Sequence, residues 1–97
     1  MNTYITISGI KYCFGTLPFD VKEKVILKKD RKNEYDEWAI AIYKEGFGKV
    51  GYVASNDASK IKGTESAVSI YPLFRDECEA EIVFMKNDFI IAKVESL

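Results

Sequence analysis

Ninety-seven residues are enough to bury roughly two-thirds of the unfolded surface in one core, and too few for a second independent domain. A composition 47% hydrophobic, 13% aromatic and 30% charged excludes disorder, and a formal charge of -1 excludes a global field that would gather polyanions. Histidine is absent and the two cysteines, Cys13 and Cys78, lie far apart, which excludes Ser-His and Cys-His catalysis within one chain and gives no zinc pattern.

In chain order, Tyr4 to Ile10 alternates Ile5 and Ile7 with Tyr4, Thr6 and Ser8, the period-two pattern of a half-buried strand, interrupted at Gly9. Extended chain is expected over Ile10 to Phe14, then a turn at G-T-L-P-F-D, Gly15 to Asp20. Lys22 to Lys29 carries a Val-Ile-Leu trio between charges and predicts a second strand, with a short helix as its competitor. Asp30 to Asp36 is too polar for a core element and predicts a loop. Trp38 to Tyr43 and Lys49 to Ala54 flank G-F-G and predict a hairpin. Ser55 to Lys62, with N-cap residues at its start and Gly63 after it, predicts a two-turn helix. Ala67 to Leu73 is apolar but holds Pro72, which leaves its state open. Cys78 to Met85 and Phe89 to Val94 predict two closing strands about a K-N-D turn, where Asn87 and Asp88 tolerate left-handed geometry.

Five to six short strands with one or two short helices predict an all-β single domain over residues 1–97, a small antiparallel OB-like or SH3-like barrel whose closure removes exposed edges. Its expected core is Ile5, Ile7, Val25, Leu27, Ile40, Ile42, Val50, Val53, Ile82 and Phe84. There is no apolar run of membrane-spanning length and no secretory leader pattern after Met1, so a reducing cytoplasm is the expected setting.

Three segments carry further information: G-I-K-Y-C-F-G from Gly9 to Gly15, L-K-K-D-R-K-N-E-Y-D-E-W-A-I-A-I from Leu27 to Ile42, and K-V-G-Y-V from Lys49 to Val53. In order and spacing they resemble the HIRAN domain family, a module of helicase-like replication-fork remodelling ATPases that also occurs as short stand-alone bacterial and phage proteins. The most specific part is N-x-Y-D-x-x-A-I followed by V-G-Y, whose joint spacing is uncommon. The likeness covers Thr3 to about Ile61.

That resemblance implies an OB-like barrel and capture of a single-stranded DNA 3′ end, with aromatics clamping the terminal bases and a carboxylate holding the 3′-hydroxyl. Carried onto this chain, Lys11 would meet a phosphate, Tyr12 and Tyr35 would stack on bases, and Asp36 would accept from the terminal hydroxyl and repel a 3′-phosphate. Asn33, Tyr52 and Lys60 complete the candidate set. Cys13 stands where the fork-remodeller domain has a second aromatic, and Ser55 where it has a basic phosphate contact. The segment Lys11 to Lys32 holds seven basic residues against three acids, a net of +4, so a local basic face on an acidic protein is compatible with phosphate contact.

Each feature has a plainer counterpart. The basic run also describes a solvated strand edge that blocks aggregation. Tyr35 and Asp36 also describe a packed aromatic and a backbone-capping carboxylate in a turn. Trp38 reads as a core or barrel-rim residue. Two functions therefore remain: a non-enzymatic module for single-stranded DNA 3′ ends, needing no cofactor and serving repair or replication, or a protein-interaction module that keeps the barrel without the end pocket. Hydrolase activity in the family's large proteins belongs to a motor module, and this chain has no G-x-x-x-x-G-K-[ST] phosphate loop.

Overall fold

The computed structural model describes residues 2–56, 58–87 and 89–95. Six strands, β1 (Thr3–Ser8), β2 (Lys24–Lys29), β3 (Ile40–Lys44), β4 (Gly48–Val53), β5 (Glu77–Lys86) and β6 (Phe89–Val94), close into an antiparallel barrel in the order β1-β4-β3-β2-β5-β6. A four-residue helix, α1 (Ala67–Ile70), runs directly into a 3-10 turn at Tyr71–Leu73. The all-β barrel expected from strand count and spacing is thus the observed fold. No helix among the described residues is long and apolar enough to cross a membrane.

The barrel interior is filled mostly by the inward parity of the strands; on β4 a register shift against β3 lets Val50 and Val53, of opposite parity, both join the core. Ile5, Ile7, Val25, Leu27, Ile40, Ile42, Val50, Val53 and Ile82 are all buried, as expected, and Ile90 and Ala92 of β6 and Ile70 of α1 join them. Phe84 does not. A bulge between Ile82 and Phe84 shifts the register from Ile82↔Ala92 to Phe84↔Ile91, and the extra residue turns the phenyl ring out of the core. It is 45% exposed.

Two further expectations are corrected. Ile10 to Phe14 is not extended: Gly9 adopts φ +70°, and the reversal it permits lets Tyr12 N–H donate to the Gly9 carbonyl, giving a 3-10 turn at Ile10–Tyr12. Ser55 to Lys62 is not a two-turn helix. Asn56 gathers Ser59 N–H and Lys60 N–H in a single turn, and Ile61 N–H then donates to the Thr6 hydroxyl at 3.0 Å instead of continuing a helical ladder. Asp57, inside that stretch, and Asp88, in the closing turn, lie outside the described residues, while Asn87 has the left-handed φ of 55°. The open segment Ala67 to Leu73 proves helical, with the Ser66 hydroxyl capping Ser69 N–H and Pro72 falling in the 3-10 turn.

Thr6 explains why β1 breaks its alternation and buries three residues in succession. Its outward side chain is covered by the segment 58–66. The Thr64 hydroxyl donates to the Ile61 carbonyl at 2.6 Å, so its one proton is used and the Thr6 hydroxyl is the donor in the 2.8 Å Thr6–Thr64 bond. Thr6 in turn accepts from Ile61 N–H, which satisfies every group in a buried corner. Thr6→Val keeps the shape and strands that N–H, with an expected loss of about 1 to 2 kcal/mol in urea unfolding and faster amide exchange at Ile61. Unchanged stability and exchange would contradict this account of the corner.

Candidate nucleic-acid interface

The turn between β2 and β3 is organised by Asn33. Its side-chain carbonyl accepts from Tyr35 N–H and Asp36 N–H, both at 2.9 Å, and its amide donates to Asp30 Oδ2 at 3.2 Å. Asp36 repeats the device one step on, with Oδ1 accepting from Trp38 N–H at 2.9 Å. Backbone capping of this kind is why Asn and Asp occupy the N-x-Y-D positions. It also leaves Tyr35 between two fixed turns with no surface to pack on, and its ring is 96% exposed.

The turn is tied to the barrel by Tyr52 on β4, whose hydroxyl donates to Asp30 Oδ2 at 3.2 Å. Lys49 Nζ donates to the Tyr52 oxygen at 2.9 Å, and this contact makes the ammonium hold its proton more tightly than an ordinary lysine. Lys49, Tyr52, Asp30 and Asn33 thus form a continuous chain of hydrogen bonds that positions Tyr35 and Asp36.

A concavity of about 350 Å³ lies beside this turn, lined by Asn33, Tyr35, Asp36 and Tyr52 together with Ser8, Ala39, Val53, Ser55, Asn56 and Ser59. Residues with hydroxyl or amide side chains make up most of the lining, and Asp36 is the single charged one among the described residues. Ser8 and Ser59 also line an adjoining groove of about 440 Å³ that holds Lys11, Tyr12, Gly9 and Phe89. Tyr12 is 81% exposed, with Lys11 Nζ 5.1 Å from its ring centroid.

Six of the seven candidate residues therefore line these two adjoining concavities: Asn33, Tyr35, Asp36 and Tyr52 the first compartment, Lys11 and Tyr12 the second. Lys60 stands apart, its ammonium turned onto the Thr64 carbonyl at 2.9 Å and lining neither compartment. Trp38 sits at the barrel rim, 43% exposed and edge-on to Tyr71 at 5.2 Å. Phe89, which the sequence reading passed over, is 52% exposed in the second compartment. Its signal was parity: it shares the outward side of β6 with Ile91 and Lys93, while Ile90, Ala92 and Val94 point in. Cys13, beside Tyr12, and Cys78 are free, half-buried thiols, and burial pushes Cys78 up to about 11.

Fold and groove define a small closed β-barrel whose rim carries exposed aromatic rings around a polar cleft. The chain belongs to the HIRAN domain family: the model of the HIRAN domain matches residues 1–83. Among solved structures it is similar to the HIRAN domain of human HLTF, at 18% identity and a TM-score of 0.68, over 96% of this chain and 72% of that one. It is also similar to a protein from Lactobacillus plantarum, at 16% identity and a TM-score of 0.66, over 97% of this chain and 93% of that one. At such identities the likeness is one of fold. No curated protein matches the chain.

Proposed function

We propose that this domain binds single-stranded DNA and captures its 3′-hydroxyl end without catalysing a reaction, in a repair or replication setting. The observation that carries the proposal is Tyr35, a ring 96% exposed beside Asp36 at the mouth of a polar concavity. A tyrosine in a purely structural turn gains by packing its ring; this one is held out by two capped turns, as a face for a base requires. Tyr12 and Phe89 in the adjoining compartment offer further apolar surface to the next bases, and Lys11 supplies a cation for the phosphate between them. Phe89 also fits the role of the second aromatic of the family pattern, which this chain lacks at Cys13.

The terminal compartment selects by charge. Among the described residues its only charged lining residue is Asp36, so a terminal hydroxyl finds an acceptor there and a terminal phosphate finds a like charge with no cation among the described lining residues. Ser55, which replaces the family's basic contact, makes this compartment less hospitable to phosphate.

Asp36→Asn tests the proposal while keeping an oxygen to cap Trp38 N–H, so the turn is retained as the charge is removed. In fluorescence anisotropy with strands ending in 3′-hydroxyl or 3′-phosphate, the wild-type domain is expected to prefer the hydroxyl, and Asp36→Asn to lose most of that preference. Asp36→Ala should behave alike, with an added loss of stability of about 1 kcal/mol from the missing cap. Equal binding of both ends by the wild-type domain would overturn end selection. No binding to either would favour the alternative, a protein-interaction module on the same barrel.

A further inference from the structure

On the other side of the Asp30–Asp36 turn lies a second concavity, a cleft of about 450 Å³ on the outer face of β2 and β3. Its floor is Ala41, which stands in register between Lys28 on β2 and Tyr52 on β4. A small residue between two long ones leaves the sheet face hollow. Four cations line the hollow, Lys28, Lys29, Arg31 and Lys32, against two acids, Asp30 and Asp76.

These charges are not equivalent. Lys29 Nζ donates to the Phe74 carbonyl at 2.6 Å and lies over the rings of Tyr71 and Phe74, where burial and Arg31 lower its pKa. Arg31 pairs with Asp76 at 3.0 Å and donates to the Arg75 carbonyl. Asp30 accepts from Asn33 and Tyr52. Lys28 and Lys32 are exposed, Lys28 with its ammonium 5.7 Å from the Tyr43 ring centroid. Glu77 stands opposite Lys28 on β5 but outside the lining of the cleft.

The hydrogen bond from Tyr52 to Asp30 joins the two concavities: Tyr52 lines the end groove and Asp30 the basic cleft. The compartment that would hold a strand's terminus has no cation among its described lining residues, and Lys11 is the single cation among those of the adjoining one, so the charge of nucleotides further 5′ must be met elsewhere along the strand's path. We propose that the Lys28–Lys32 cleft is a second subsite, which takes the phosphodiester backbone of the same strand a few nucleotides 5′ of the captured end. This rests on end capture in the adjoining groove, and makes binding depend on strand length.

The test compares a trinucleotide with a strand of about 12 nucleotides, both ending in 3′-hydroxyl, against the wild-type domain and the double variant Lys28→Ala/Lys32→Ala, across a salt series. The wild-type domain is expected to bind the longer strand more tightly and with a steeper salt dependence. The double variant should leave trinucleotide affinity unchanged, weaken the longer strand roughly 10- to 30-fold near 0.1 M salt, and reduce its log-log salt slope by about 1.4, two contacts at about 0.7 each. Lys28→Arg/Lys32→Arg should restore the longer strand. If the double variant binds both lengths as the wild type does, the cleft is not a subsite for DNA, as would hold for a cleft that serves an acidic peptide. If the wild-type domain fails on the trinucleotide while the longer strand remains sensitive to Lys28 and Lys32, the cleft stands and end capture falls.

Discussion

Gly51→Ala is expected to destabilise the domain by about 2 to 3 kcal/mol, near the top of the range for overpacking, and so to lower its melting temperature by roughly 10 °C or more. A Cβ at position 51 would lie 2.9 Å from the Ser8 carbonyl oxygen, 3.0 Å from Ile7 Cγ2 and 3.3 Å from Ile10 Cγ2. The first of these is backbone and cannot swing aside. The seam between β1 and β4, where only Ile7↔Val53 and Ser8↔Tyr52 are in register, must open to admit the methyl group. That seam closes the barrel and also sets Ser8, the wall shared by the two compartments, against Tyr52. Strand binding should therefore fall together with stability. Thermal and urea unfolding within about 0.5 kcal/mol of wild type would show that the seam yields without cost and would remove this explanation of the glycine in V-G-Y.

Tyr35→Ala should have the opposite profile, a loss of strand affinity with little change in stability. The ring is 96% exposed, so deleting it removes almost no folded-state contact, and the turn's hydrogen bonds come from Asn33 and Asp36 instead. A base stacked on the ring is worth about 1 to 3 kcal/mol, so affinity should fall roughly 5- to 150-fold whatever the terminal base. Tyr35→Phe should retain most of the binding, because stacking uses the face of the ring. Full affinity in Tyr35→Ala, measured by anisotropy beside an unchanged urea midpoint, would make Tyr35 a bystander of its turn.

The barrel was legible because its strands largely obey local rules: nine of ten expected core residues are buried, most of them on one parity of their strand, and turns fall where Gly, Pro, Asn and Asp cluster. The exceptions have long-range causes. Phe84 fits the inward parity until a bulge, set by pairing with β6, turns it out. Ser55 to Lys62 has helical capping chemistry, yet Thr6, more than fifty residues earlier, draws Ile61 N–H away. In the candidate site the N-x-Y-D turn was readable, since Asn33 and Asp36 act on neighbouring backbone. The join between Tyr52 and Asp30 was not, because it spans 22 residues and exists only once β3 pairs with both β2 and β4. For the same reason Lys60, close in sequence to V-G-Y, lines neither compartment, and Phe89, remote in sequence from Tyr12, lines the same one.

End capture requires that the groove receive a free chain end. Its most direct test is competition against a labelled 3′-hydroxyl strand by two unlabelled rivals of identical sequence, one linear and one ligated into a circle. Both carry the same bases and backbone charge, so stacking on exposed rings and attraction to the Lys28–Lys32 cleft act on both. Only the linear strand has a terminus for the compartment formed by Tyr35, Asp36 and Tyr52. The linear strand should compete at least about tenfold better, the low end of what one stacked and hydrogen-bonded terminal nucleotide contributes. A circle that competes equally well would contradict end capture and reduce the groove to a general path for single strands.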